Sequence, residues 1–213
     1  MDIFAGRREK LRFIERFYEG ASAPFVETKR KIEAEEPPFV PRPFDPERDT
    51  DTEPPFLAEW EEADDAINIV GQAALSLVQA SLREYLDAFI LLRRVKPPAG
   101  RGDWFARYKA FFLETYGIDW DAGPIPIREI EEINFVRNDI QHTGEEFGMT
   151  RRMSKEHYRR FPEGIFVQEI DRKIYASLGD WQPSIYVTAE NLKEAVRRVE
   201  TFCEYLDKQR RYF

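Results

Sequence analysis

Cysteine and histidine are nearly absent from this chain. Cys203 is the one cysteine, so the chain forms no internal disulfide and holds no cysteine-rich zinc site. His142 and His157 are the only histidines in 213 residues. With so few, and with no ligand-spaced partner for Glu131 and Glu132, no metal centre is expected. No apolar run approaches the roughly 20 residues that cross a bilayer. The first residues, Met1-Asp2-Ile3-Phe4-Ala5-Gly6-Arg7-Arg8, lack the long apolar segment of a secretory signal. The expectation is a cytoplasmic protein with no membrane partner. A Gly-rich phosphate loop, a nucleophile elbow and a deaminase signature are all missing. No cofactor is expected either.

What is present is ordinary globular composition, 42% hydrophobic and 34% charged, with seventeen Phe, nine Tyr and four Trp to fill a core. The length suits one good-sized domain, read here as residues 1–213. A net charge of -8 argues at first against nucleic acid, because phosphate contacts dominate such binding. The distribution changes that reading. Residues 33–65 hold thirteen acidic and two basic side chains, which leaves the rest of the chain at +3. Arg151, Arg152, Lys155, Arg159 and Arg160 then cluster within ten residues, together with Tyr158 and His157. Such a run is either a solvated face or a surface for RNA, and His157 within it is either an ordinary exposed histidine or an RNA contact. The tail from Lys208 to Phe213 is basic and aromatic as well.

Periodicity predicts an all-α chain, a helical bundle with a small β appendage before the last helix. Residues 3–36 read as helix, with a break or kink over residues 20–24. Residues 36–55 hold seven prolines among many acids and read as an extended or disordered loop. The longest helix spans residues 56–95. Its middle is apolar on most sides, which places it at the centre of a bundle or in an interface. Asp103 caps a shorter helix over residues 104–116, which Gly117 stops. Pro124 and Pro126 open a helix over residues 127–143 that ends at Gly144. Two short β-type runs, 164–167 and 184–188, are expected to pair as a hairpin within an insertion over residues 164–188. The last helix covers residues 189–209, with Leu192, Val196, Val199, Phe202, Cys203 and Leu206 on one stripe.

The helix over residues 127–143 carries the most informative string, Arg137-Asn138-Asp139-Ile140-Gln141-His142. Ile130, Ile133, Val136 and Ile140 form its apolar stripe, and Arg137 falls inside that stripe. An arginine there needs a carboxylate, a phosphate or a cleft, and Asp64, Asp65, Glu84 and Asp87 are its candidate carboxylate partners. His142 lies about 140° further round the helix, so one copy splays the two side chains apart. A second copy packed across a twofold axis brings an arginine and a histidine together, which is the geometric reason to expect a homodimer. The blander reading makes His142 a helix-end histidine favoured by the macrodipole, and Arg137 a structural ion-pair partner.

The same string resembles the signature of the HEPN superfamily: an arginine, a small polar residue, then a histidine four to six residues after the arginine. The architectural likeness spans residues 56–209, while the identity rests on about six residues. The resemblance implies a metal-independent endoribonuclease, often in toxin–antitoxin, anti-phage or RNA-processing systems, with an antitoxin or defence-system partner. It implies that Arg137 stabilises charge on the scissile phosphate, that His142 shuttles the proton, and that Asn138 orients the histidine or a phosphate oxygen. The ribose 2′-OH is then the nucleophile, and the products are a 2′,3′-cyclic phosphate and a 5′-OH. Gly144 stands where some family toxins carry a tyrosine that a partner enzyme modifies, which argues against that route of control. Some relatives lack nuclease activity, so the alternative is a non-catalytic, HEPN-like helical module that binds RNA or protein. A third reading is a structural or adaptor protein.

Overall fold

Leu11, Ile14 and Tyr18 recur at three- and four-residue steps and are buried. They seat α1 (Ile3–Glu33) along α2 (Leu57–Leu91). The computed structural model describes residues 3–43, 53–142, 151–178 and 182–210. Residues 44–52 of the acidic proline-rich loop, together with Thr143, Gly144 and the end of the basic tail, lie outside the described residues. No helix among those described is long and apolar enough to cross a membrane.

The expected break at residues 20–24 is corrected. α1 runs unbroken through Pro24. Proline removes one backbone donor and crowds the carbonyl four residues earlier, yet tertiary packing decides helix stability more than local propensity does. On one side of the proline the buried Ser22 donates to the Tyr18 carbonyl at 2.7 Å. On the other side Lys29 pairs with Asp64 of α2 and lies 3.8 Å from the Trp60 ring centroid. The packing of α1 on α2, with Lys29 as a tie beyond the proline, therefore carries the helix through the weak turn.

α2 is the central helix, as its nearly all-round apolar middle implies: it packs on α1, α4 (Ile127–His142) and α7 (Ala189–Arg210). α3 (Trp104–Tyr116) has the expected ends. The Asp103 carboxylate accepts from the Phe105 amide, and Gly117 closes the helix at φ 64°. A 3-10 turn, Trp120–Ala122, follows and buries Trp120 completely. Trp120 meets Phe105 and Phe112 of α3 and Phe202 of α7 with ring centroids 5.1–5.2 Å apart. Burial of the α7 stripe from Leu192 to Leu206 matches the periodicity. It also pushes the Cys203 thiol up to about 12, so this cysteine is an inert core residue.

The β-hairpin is corrected too. Among the described residues there is no strand, and Arg152↔Ser184 and Val167↔Ile185 are isolated bridges. A short helix, α5 (Lys155–Arg160), precedes the two runs, and another, α6 (Glu169–Leu178), stands between them. The segment at 184–188 has the β-type composition, and its amides make two isolated backbone bonds, Ile185 N–H to the Arg151 carbonyl at 2.7 Å and Tyr186 N–H to the Phe166 carbonyl at 3.1 Å, while its other edge meets side chains of α2. Asn68 donates to the Ile185 carbonyl and accepts from the Val187 amide, both at 3.0 Å, and Gln72 adds a longer contact of 3.4 Å to the same carbonyl. One buried amide thus satisfies the edge of the segment that faces α2. Gly71 lets the segment lie this close to the helix: a Cβ there would sit 2.5 Å from the Val187 carbonyl oxygen.

Candidate functional site

α4 meets a different environment on each face. Ile130, Ile133 and Val136 are fully buried against the core, as expected. Glu132, Asn134 and Asp139 are also buried, so the helix carries polar groups inward on its other faces. Arg137 and Asn138 are half-buried. Arg137 Nη1 donates to Asn138 Oδ1 at 3.1 Å.

The expected carboxylate partner for Arg137 is corrected. No carboxylate of the described residues pairs with it. Asp64 is held by Lys29 and Tyr186, Glu84 by Lys10, and Asp87 by Tyr108 and Arg83. These acids lie on α2, where Lys10 and Lys29 of α1, Tyr108 of α3, Arg83 of α2 itself and Tyr186 of the segment before α7 reach them first. His142 is the last residue of α4. Its backbone continues the helix, which places it about 140° round from Arg137. Its side chain lies outside the described residues, as does Gly144.

Asn138 lines a cleft of about 380 Å³ together with Asn134, Phe135, Gly102, Asp103 and Trp104. The far wall is the start of α3. The Trp104 indole N–H donates to Asn134 Oδ1 at 2.7 Å, and the Gln79 amide donates to the same oxygen at 3.3 Å. The ring is thus tied to α4 and, through it, to α2. The Arg83 guanidinium lies 4.7 Å from the Trp104 ring centroid, and that of Arg160 lies 4.8 Å from Phe135. Both are cation–π distances.

The basic run folds around an inward histidine. Ser154 caps α5 by accepting from the His157 amide. Lys155, Arg159 and Arg160 are exposed, and Arg151 and Arg152 are half-buried. Arg159 pairs with Glu156, and Arg160 pairs with Glu131 at 2.7 Å. His157 is the correction. It is fully buried, packed against Phe135 and Phe161, and so is not on the surface where an RNA strand would lie. A short helix capped at Ser154 turns its third residue under the chain while its basic neighbours point out.

His157 Nδ1 lies 2.6 Å from Asp139 Oδ2, and the same oxygen accepts from the Ser154 amide at 2.9 Å. A carboxylate only accepts, so Nδ1 carries the hydrogen. Asp139 therefore ties the motif helix to the basic segment. Sequence reading placed Asp139 in the motif without giving it a role. The available signal was spacing: Glu132 and Asp139 are seven residues apart, so they share one face of α4. The Glu132 carboxyl lies in that same buried layer, against Gly164, where a Cβ would come within 2.2 Å of Oε1. Neither Glu132 Oε1 nor His157 Nε2 has a hydrogen-bond partner among the described residues.

Burial pushes the Glu132 carboxyl up, against the opposing pull of His157 and Arg198. A carboxyl raised on folding stabilises the protein while protonated, and that contribution is lost as pH rises through the folded value. The ionised group is then carried at a cost at neutral pH. Glu132→Gln is expected to raise the melting temperature at pH 7–8, with the advantage shrinking as the pH falls toward 4. Arg198 keeps Glu129 and Glu194 as partners in the variant. Parallel melting curves for the two proteins over that range would contradict it.

Comparison of the chain with family models, curated proteins and solved structures gives no match.

Proposed function

We propose that this protein is a metal-independent endoribonuclease of the HEPN type, cutting RNA at a cleft completed by two copies in a homodimer. The observation that carries the reading is the Arg137–Asn138 pair at the edge of an open, aromatic-lined cleft late in α4. An arginine in an apolar stripe that takes no carboxylate is available for a phosphate. The all-α bundle with a central apolar helix is consistent with the family's architecture.

In this mechanism Arg137 stabilises the charge that builds on the phosphoryl oxygens as the 2′-oxygen attacks phosphorus. His142 carries the proton between the 2′-oxygen and the departing 5′-oxygen. The P–O5′ bond breaks, leaving a 2′,3′-cyclic phosphate and a 5′-OH. With Oδ1 already held by Arg137, Asn138 has its amide N–H groups for a phosphate oxygen or the substrate. Arg137 and His142 diverge on one helix, so the arginine of one protomer works with the histidine of its partner. Arg151, Arg152, Lys155, Arg159 and Arg160 steer the RNA backbone. The biological setting proposed is a cytoplasmic toxin or anti-phage effector with an antitoxin or defence-system partner.

The test is cleavage of end-labelled RNA. His142→Ala is expected to lower the rate by about 10²–10⁴-fold and Arg137→Ala by about 10²–10³-fold, with circular dichroism unchanged. EDTA leaves the rate unaltered. Loss of cleavage on chelation, or unchanged cleavage in both variants, sinks the proposal. RNA binding that Arg137→Ala weakens, without any cleavage in the wild type, supports the non-catalytic module instead.

A further inference from the structure

The connection after α2 gathers positive charge that neither the motif helix nor the run at 151–160 includes. From Arg93 to Lys109 the chain holds six cations and one acid, Asp103. Three of the six, Arg94, Lys96 and Arg101, are exposed, and none of the three takes a hydrogen bond or an ion pair among the described residues. Cations on nearby helices are partly spent inside the protein. Lys109 pairs with Asp121, Arg159 with Glu156 and Arg160 with Glu131. Unneutralised charge at fixed positions is what a polyanion recognises.

The fold fixes the course of this strap. α2 and α3 run side by side in the same direction. Arg83 and Asp87 of α2 meet Trp104 and Tyr108 at the start of α3, and Phe89 meets Phe112 and Tyr116 near its end. The strap therefore returns along the length of α3, about 20 Å at 1.5 Å per residue. Arg94 turns the chain at φ 59°. Val95 packs on the core at one end. At the other end Arg107 donates to the carbonyls of Arg101 and Gly102 at 2.8 and 3.0 Å. Gly102 and Asp103 then line the cleft of Asn138, whose side chain holds Arg137.

We propose that this strap is a track for single-stranded RNA, with Arg94, Lys96 and Arg101 holding backbone phosphates on the way to the Arg137–Asn138 cleft. The inference rests on the ribonuclease reading for what happens in the cleft, and it names where the substrate strand lies outside it. A cleft of about 380 Å³ is too small for a duplex, so the strand is single. The alternative polyanion is a membrane surface. An anionic bilayer takes an amphipathic helix laid flat, with an apolar face beside its cations. The strap is not helical, and its Val95 packs on the core. Leu91 and Leu92 are exposed at its far end, but two side chains do not make an apolar face. A chain of phosphates follows cations strung along a line, and this line ends beside Arg137.

The experiment is binding of a labelled, mixed-sequence single-stranded RNA to the full-length protein, read by fluorescence anisotropy at several salt concentrations. The strap variant carries Arg94→Gln, Lys96→Gln and Arg101→Gln. The control carries Arg12→Gln, Arg16→Gln and Arg128→Gln, an equal loss of charge from three other exposed arginines. Losing three phosphate contacts is expected to weaken binding about tenfold or more, and to lower the slope of log affinity on log salt by about 2, at about 0.7 per contact to a single strand. Each single substitution takes about a third of that slope, and circular dichroism checks that every variant folds. The control moves the slope by less than half as much. In cleavage assays the strap variant raises KM and leaves kcat unchanged, because its contacts are equal in the ground and transition states. An unchanged slope in the strap variant, an equal loss in the control, or no RNA binding by the wild type overturns the inference. So does strap-dependent binding to phosphatidylserine vesicles in place of RNA. Cleavage with an unchanged KM in the strap variant overturns it while leaving the ribonuclease reading intact. Strap-dependent RNA binding in a protein that cuts no RNA upholds the track and removes the catalytic reading.

Discussion

Asp139→Ala is expected to destabilise this protein more than any other change in the Arg137–His142 string. The carboxylate accepts from His157 Nδ1–H and from the Ser154 amide through one oxygen. His157 is fully buried, so water cannot replace the lost acceptor. Each stranded donor costs about 1–3 kcal/mol. The two together cost about 3 kcal/mol or more, and for a chain of this size each kcal/mol lowers the melting temperature by about 2–4 °C. The variant is therefore expected to melt about 6–12 °C below the wild type. Asp139→Asn keeps an oxygen that accepts both donors and is expected to lose less than half as much. A shift under 2 °C for Asp139→Ala would show that the contact is not what holds α5 on α4. The loss has a functional side. Asp139 follows Asn138 directly, so releasing α5 frees both the basic segment and the last turns of α4, and RNA binding falls with stability.

Gly71→Ala is expected to be the second large effect. The new Cβ would meet the Val187 carbonyl oxygen at 2.5 Å and the Val187 Cβ at 2.8 Å. The nearest obstacle is backbone, which cannot rotate out of the way. Overpacking of this kind costs about 1–3 kcal/mol. The segment that moves is the one Asn68 holds by two hydrogen bonds, so the cost includes weakening both. Asn68→Ala strands the Val187 amide outright, while the Ile185 carbonyl keeps the longer contact with Gln72. The double variant is expected to lose less than the sum of the single losses, because both changes release the same segment. Chemical denaturation of the four proteins measures this. Full additivity would mean that the glycine and the asparagine support different parts of the fold.

The two sites differ in how legible they were. Helices with a clear 3.6-residue stripe and strong caps were read correctly within a few residues. Asp103 and Gly117 bracket α3 as expected, and α7 buries the stripe from Leu192 to Leu206. The errors fall where a partner distant in sequence replaces the local one. The β-type run at 184–188 does look like a strand, because its extended backbone needs partners along its edge. Some of those partners are single carbonyls of Arg151 and Phe166, too few to make a strand, and the rest are Asn68 and Gln72, more than a hundred residues away, which no local pattern announces. Pro24 misled for a related reason. A proline weakens one helical turn, and the packing of α1 on α2 is what bridges it. The partners proposed for Arg137 at Asp64, Glu84 and Asp87 failed because lysines of α1, Tyr108, Tyr186 and Arg83 of α2 itself claim those carboxylates first.

Sequence alone determined the helical class, the start of the motif helix and the divergence of the Arg137 and His142 positions on it, and it left α2 either central or in an interface. Each follows from periodicity and helix-end chemistry, which act over a few residues. Only the tertiary structure decided that His157 lies in the core on Asp139 rather than facing solvent, that Arg137 turns to Asn138, and that Trp104 and Asp103 close a cleft against α4. Those outcomes depend on which polar groups meet once distant helices pack. Burial leaves each such group needing a partner, and the chain order does not say which partner arrives.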